Sequence, residues 1–273
     1  MNRSSSLLLV GCGKMGGAVL NGLRKNGFSP DRIRVAEPDE TVRSKLMAEG
    51  ITCAASALEM VDFNPDIVFL AVKPFLIEQI IGDIKPFTDK GAAVLSIIAG
   101  RRIKWFKDKL GDKTVVFRAM PNTPAAIGAG ITAVVCSPQA TEEQKQLTDR
   151  ILKACGEVIW LTAEDQIDAV TAVSGSGPAY VFYLTEALAN AAKTIGLSEE
   201  TAEKLARATV IGSALLMRES NETPAKLRQN VTTPNGTTAA ALAVLRDDKN
   251  GFDPLMVQAV KAAKQRSKEL SGA

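Results

Sequence analysis

Apolar residues in the first part of the chain fall into short runs at 7–10, 33–37, 67–72, 93–98, 115–119, 131–135 and 158–161. Each is the length of a β-strand. The continuity of the run at 67–72 predicts a strand buried on both faces of a parallel sheet. Between several of these runs apolar positions recur every third or fourth residue, at 15–25, 41–49, 76–84, 103–110 and 142–155. That spacing is helical, and strands alternating with helices predict an α/β domain with a doubly wound sheet.

The pattern changes near residue 164, beyond which no strand-like run follows. A long helical stretch at 178–195 closes on Gly196, a C-cap residue, and Ser198 caps another that runs to about residue 219. Thr223-Pro224 opens a short helix with proline at its first turn, and 238–246 and 254–270 are helical as well. Alanine is abundant here, and small side chains let helices approach closely. Several of these helices are apolar on more than one face, so the region reads as an all-α domain partly buried against a second copy of the chain; a monomeric bundle is the alternative. The expected division of the chain is 1–163 and 164–273.

Composition narrows the chemistry. The 273 residues are 46% hydrophobic and 23% charged, enough apolar material for a sizeable core. The 33 basic and 30 acidic residues are interspersed, for a net charge of +3, so no basic run argues for nucleic acid. Cys12, Cys53, Cys136 and Cys155 form no C-x-x-C pair, and their scatter suits reduced thiols in a cytoplasmic protein. The run at 7–10 is too short for a signal core or a membrane span. The chain has no histidine. That removes Ser-His and Cys-His nucleophiles, histidine acid–base catalysis and histidine-ligated zinc, and no metal is expected. The chemistry falls to a cofactor, backbone donors, hydroxyls, lysines or carboxylates.

Gly11, Cys12, Gly13, Lys14, Met15 and Gly16 form G-x-G-x-x-G directly after the first strand-like run and at the head of the first helix. The first glycine permits the tight turn, the second lets backbone N–H groups approach a pyrophosphate, and the third lets helix pack on strand. The flanking strand and helix separate this loop from an ordinary glycine-rich turn and make the domain Rossmann-type. Glu37 ends the second strand about 20 residues further on, where an acidic residue accepts the hydroxyls of an adenosine ribose and favours NAD. Arg43, just downstream, can instead turn toward a 2′-phosphate, and Glu37 before Pro38 can be a solvated loop residue, so NADPH and NADH both stand.

Further segments follow strand ends. Val72, Lys73 and Pro74 border a ligand at the carboxyl end of a strand, or form a plain surface loop. Residues 119–124, AMPNTP, are stiffened by two prolines into a pocket wall or a structural turn. Residues 174–178, SGSGP, open the first long helix of the second region. Residues 230–238, NVTTPNGTT, combine hydroxyls, a glycine and the free N–H groups of a coming helix, a site suited to a carboxylate. Either of the last two is also explained as a capped helix start.

SGSGPAY at 174–180 and LRQNVTTPNGTTAAAL at 227–242 resemble signature segments of the pyrroline-5-carboxylate reductase family. FLAVKP at 69–74 and MPNTP at 120–124 fit that family in order and spacing, and the resemblance covers essentially the whole chain. It implies an N-terminal Rossmann-type domain, a C-terminal helical dimerisation domain, interlocked dimers that often form larger rings, NADPH or NADH as cofactor, and L-proline as product in the last step of proline biosynthesis. By motif, Gly11 to Gly16, Glu37, Ser56, Val72, Lys73, Pro74 and Asn230 would contact the cofactor. Ser176, Thr233, Gly236, Thr237 and Thr238 would hold the substrate, mainly through backbone N–H groups on its carboxylate. The Thr238 hydroxyl would meet the ring nitrogen as the catalytic group. The sequence departs from the family pattern where Asn235-Gly236 replaces Gly-Gly and where Thr232 and Thr233 replace serines, which implies a stiffer loop and the same substrate.

The implied reaction is hydride transfer to the C5 imine carbon of the pyrroline ring, which needs no strong protein acid once the imine is protonated. That agrees with the absence of histidine. Two rivals read the chain differently. A β-hydroxyacid dehydrogenase would place a lysine soon after the glycine-rich helix start, but the next lysine after Gly177 is Lys193. A nucleotide-sensing module would keep the glycine loop without any need of residues 233–238.

Overall fold

The computed structural model describes residues 5–272. The chain to Gly175 packs as one compact unit with the last turns from Ala263, and Ser176–Ala262 forms a second. In the first, β1 (Leu7–Val10), α1 (Lys14–Lys25), β2 (Ile33–Ala36), α2 (Glu40–Ala48) and β3 (Thr52–Ala54) build one half of a sheet. The other half is β4 (Ile67–Leu70), the short helices α3 (Ile77–Ile80) and α4 (Lys85–Thr88), β5 (Ala93–Ser96), α5 (Ile103–Leu110) and β6 (Val116–Met120). Beyond it come β7 (Gly130–Cys136), α6 (Glu142–Lys153) and β8 (Gly156–Trp160). Among the described residues the strand order is β3-β2-β1-β4-β5-β6-β7-β8. Every neighbouring pair is parallel except β6 and β7.

The central strands β1, β4, β5 and β6 are buried on both faces, and alternate residues feed two separate cores. Leu7, Leu9, Val35 and Phe69 join Val19, Leu20 and Leu23 of α1 and Leu147 and Ile151 of α6 on one face. Leu8, Val10, Val68 and Leu70 join Ile77, Phe87 and Phe106 on the other. This is the period-two consequence of a sheet with helices on both sides, and it confirms the doubly wound domain.

Three local features differ from the sequence expectation. The helix expected at 76–84 is broken into α3, a 3-10 turn at Ile81–Ile84 and α4, with Pro86 in the first turn of α4. Proline has no N–H to continue a helix from the preceding turn, so the chain restarts there. β3 is a three-residue edge strand without a buried face, too short and too exposed to register as an apolar run. β7 runs antiparallel because only residues 121–129, including a 3-10 turn at Thr123–Ile127, join it to β6, too few for a crossover.

Strands end at Trp160, close to the expected change of pattern, but the compact unit continues through α7 (Gln166–Val170) and a π-helical turn at Thr171–Gly175. Buried charges anchor this stretch. Arg118 on β6, 2% exposed, pairs with Glu164 at 2.9 Å, and Glu164 also accepts the Ile103 N–H that starts α5. Asp168, 1% exposed, accepts the Ser267 hydroxyl at 2.7 Å.

The second unit contains α8 (Gly177–Thr194), α9 (Glu199–Glu219), α10 (Pro224–Asn230), α11 (Thr237–Leu245) and the start of α12 (Phe252–Ser271). The expected caps are in place. Gly196 has φ +101° after α8, and the Ser198 and Thr223 side chains accept N–H groups at the starts of α9 and α10. Its buried residues are Ala189, Ala202, Ala206 and Gly251, while Phe182, Leu205, Leu216 and Val244 stand exposed. A unit whose large apolar side chains lie outside has its core to gain from another surface.

Close helix packing in the first unit yields a stability prediction. A Cβ on Gly22 of α1 would lie 2.2 Å from the Ala154 carbonyl oxygen at the end of α6. Gly22→Ala should therefore cost about 1–3 kcal/mol, measured as a lowered urea midpoint with unchanged slope.

Candidate functional site

A pocket of about 500 Å³ opens at the carboxyl ends of the central strands, lined among others by Gly11, Gly13, Glu37, Ser56, Val72 and Lys73. It sits where β1 leads outward to β2 on one side and β4 leads outward on the other. This is the switch point at which open α/β sheets bind ligands.

The three glycines of the loop do different work. Gly11 has φ +87°, and a Cβ there would strike the Val72 side chain at 2.8 Å and the Ala71 carbonyl at 3.0 Å. A Cβ on Gly16 would lie 2.3 Å from the Gly11 carbonyl oxygen, so α1 begins against the turn only because Gly16 lacks one. Gly13 is the opposite case. It is exposed, and nothing lies within 4 Å of where its Cβ would be. No side chain caps α1, whose first turn contains Lys14, Met15 and Gly16. The first N–H groups of a helix lack intrahelical acceptors, and here they sit beside an open glycine at the positive end of the helix dipole. These residues fit a dinucleotide pyrophosphate.

Glu37 forms one wall. Its Oε2 accepts the Cys12 N–H at 2.7 Å and its Oε1 the Asp39 N–H at 3.1 Å, so the carboxylate ties the glycine loop to the end of β2. Arg43 faces the same backbone, donating to the carbonyls of Glu37 and Pro38 at 2.8 and 2.6 Å. Burial, with the Glu37 charge second, pushes the Cys12 thiol up to about 11, which leaves it protonated and unreactive at neutral pH. Ser56 caps the 3-10 turn at Ala57–Met60 in a capping box with Glu59, and its hydroxyl donates to Asp83 at 3.3 Å. The Lys73 ammonium lies 5.9 Å from the centre of the exposed Phe75 ring. Pro74, between them, is exposed but does not line the pocket.

Sequence reasoning missed Ala36, Ala55, Phe75, Gln79, Ile80 and Asp83, which complete the pocket wall. The S-x-x-E capping box at Ser56 was available as a signal for the turn. The others have no signal, because they reach the pocket only through the order of the strands.

The remaining candidates lie in the second unit. Ser176 stands at the N-cap of α8 without a side-chain capping bond. Asn230 ends α10 and donates its amide to Glu222 at 2.7 Å. Thr233 to Gly236 make a turn closed by the Gly236 N–H on the Thr233 carbonyl at 3.1 Å. A Cβ on Gly236 would lie 2.4 Å from the Thr233 hydroxyl oxygen, so a side chain there would require the Thr233 hydroxyl to shift. Asn235 has φ +59°, a left-handed conformation that glycine adopts freely and asparagine tolerates. This is the position where the family pattern has glycine. Thr237 and Thr238 then open α11, which has Gly236 at its N-cap and no side-chain cap.

Comparison with known proteins agrees with this geometry. The family described as pyrroline-5-carboxylate reductase dimerisation matches residues 164–270, and the NADP oxidoreductase, coenzyme F420-dependent family matches 6–100. A pyrroline-5-carboxylate reductase of Pseudomonas aeruginosa is 39% identical, covering 97% of this chain and 96% of that protein. The solved structure of a pyrroline-5-carboxylate reductase from Coxiella burnetii superposes with a TM-score of 0.92 at 36% identity, covering 98% and 99% of the two chains. The Plasmodium falciparum pyrroline carboxylate reductase with NADP bound has a TM-score of 0.81 at 28% identity, covering 98% of each chain.

The chain belongs to the pyrroline-5-carboxylate reductase family. It is an NAD(P)H-dependent oxidoreductase with a Rossmann-type N-terminal domain and a helical dimerisation domain, and it self-associates. Among the described residues no helix is long and apolar enough to cross a membrane.

The loop geometry separates two glycine substitutions. Gly13→Ala should leave the unfolding midpoint unchanged yet weaken NADH and NADPH binding at least about tenfold, because its methyl group occupies the anion's approach. Gly16→Ala should lower the unfolding midpoint as well. In the second unit, Asn235→Gly should be neutral in stability, while Asn235→Ala should lose about 1 kcal/mol in denaturant unfolding.

Proposed function

We propose that the protein reduces the C5=N imine of 1-pyrroline-5-carboxylate to L-proline with NADPH or NADH, the last step of proline biosynthesis. The observation that carries this reading is the match to pyrroline-5-carboxylate reductases over 97% of the chain. Bound reduced nicotinamide supplies the hydride. The protein supplies binding, orientation and electrostatics. Gly11 to Gly16 hold the pyrophosphate, Glu37 and Ser56 the adenosine side, and Val72, Lys73 and Pro74 the strand end beside the cofactor, with Asn230 as a further contact.

The first N–H groups of α11 receive the substrate carboxylate, with Thr233, Gly236 and Thr237 shaping the turn and Ser176 as a further substrate contact. Thr238 places its hydroxyl at the ring nitrogen and orients the imine. A protonated imine is already electrophilic, so the absence of histidine costs the reaction little. Holding donor and acceptor carbons in near-attack geometry supplies on the order of 7 kcal/mol of the barrier in favourable cases. The working division assigns residues 1–163 to the dinucleotide and 164–273 to substrate and dimerisation. An interlocked dimer, a ring of such dimers and a cytoplasmic setting, the last suited to the four unpaired cysteines, complete the proposal.

Purified protein should oxidise NADH or NADPH only when pyrroline-5-carboxylate is present, and oxidation without it, or none with it, overturns the reading. Thr238→Ala should lower kcat/KM for pyrroline-5-carboxylate by about a hundredfold with cofactor affinity unchanged. Unaltered kcat and KM in that variant reject the role of Thr238.

A further inference from the structure

We infer that this enzyme selects NADH over NADPH, and that the Glu37 carboxylate is the group that makes the selection. The inference rests on the dinucleotide reading of the pocket. Glu37 lies at the carboxyl end of β2, on the rim formed with the loop after β3, where the adenosine ribose of a dinucleotide on the glycine loop belongs. Two backbone N–H groups hold the carboxylate, that of Cys12 at 2.7 Å and that of Asp39 at 3.1 Å. To swing aside and admit a second negative group, the carboxylate would have to give up both donors. Its remaining lone pairs can accept vicinal ribose hydroxyls, whereas a 2′-phosphate would bring further negative charge against it.

Nothing nearby reverses that sign. The other acidic group lining the pocket, Asp83, stands beside Ser56 on the same side. The one basic side chain in the lining is Lys73, beyond β4 and across β1 from the end of β2. Arg43 is the arginine that could serve a phosphate, but its guanidinium donates to the carbonyls of Glu37 and Pro38, and it does not line the pocket. To reach a 2′-phosphate it would have to leave both acceptors and pass the Glu37 carboxylate. The same carboxylate also holds the Cys12 N–H, so selection and the shape of the glycine loop share one side chain.

The test is equilibrium binding to the full-length protein without pyrroline-5-carboxylate, read by quenching of protein fluorescence on titration with NADH and with NADPH. The wild-type Kd for NADH should be at least about tenfold below that for NADPH. Glu37→Gln keeps an oxygen that can accept the Cys12 N–H and removes the charge, and it should reduce the ratio to about threefold or less. A wild-type protein that binds NADPH as tightly as NADH overturns the inference, and so does a Glu37→Gln variant with an unchanged ratio. Thermal protection of the wild type supplies a second measurement that needs no variant. ADP should raise Tm and 2′,5′-ADP should raise it less, and the reverse order overturns the inference. These readouts contain no substrate, so a protein that failed to reduce pyrroline-5-carboxylate would still give a decisive ratio.

Discussion

Close backbone approach at the centre of the sheet is the constraint on which the site depends. Gly11 lets β1 turn beneath Val72 and Ala71, and Gly16 lets α1 start against the Gly11 carbonyl. A side chain at either position would lift the helix N-terminus away from the strand ends. With both absent, the uncapped first turn of α1 points its N–H groups at the crevice between β1 and β4, and Gly13 leaves the approach open. Glu37 then secures the arrangement laterally, since its carboxylate spans from the end of β2 to the Cys12 N–H inside the loop. The open start of α1 and the packing of the first βαβ unit are therefore one structure.

The second unit is organised on a different principle. Its buried positions are alanines and a glycine, and its bulky apolar side chains face outward. Such helices bring little hydrophobic stabilisation within one chain, which agrees with their membership of a dimerisation family. The turn before α11 shows the same economy of local structure. Asn235 adopts a left-handed conformation, Gly236 packs closely on the Thr233 hydroxyl, and the first turn of α11 begins without a side-chain cap. The starts of α1 and α11 share this feature, since in both no side chain caps the first N–H groups.

Much of this was legible in the residues alone. The strand–helix alternation, the change to helices near 164, the caps at Gly196 and Ser198, the helix start at Thr223-Pro224 and the glycine loop all express local rules. Apolar period follows from backbone geometry, and a glycine requirement follows from the absence of a Cβ. Asn235, too, is visible in the residues as an unusual occupant of a turn, and its φ of +59° is one that asparagine tolerates. The short edge strand β3 and the break between α3 and α4 escaped because neither carries a long periodic signal.

What the linear pattern left open was every question about partners distant in the chain. Whether Glu37 and Arg43 were free or engaged turned on the Cys12 N–H and on carbonyls that meet them only after β1 and β2 pair. Ser56 meets Asp83, and β7 turns back on β6, for the same reason. The order of elements is a property of short stretches and can be read one stretch at a time. The direction a charge faces depends on which strands lie side by side, and that exists only once the sheet has formed.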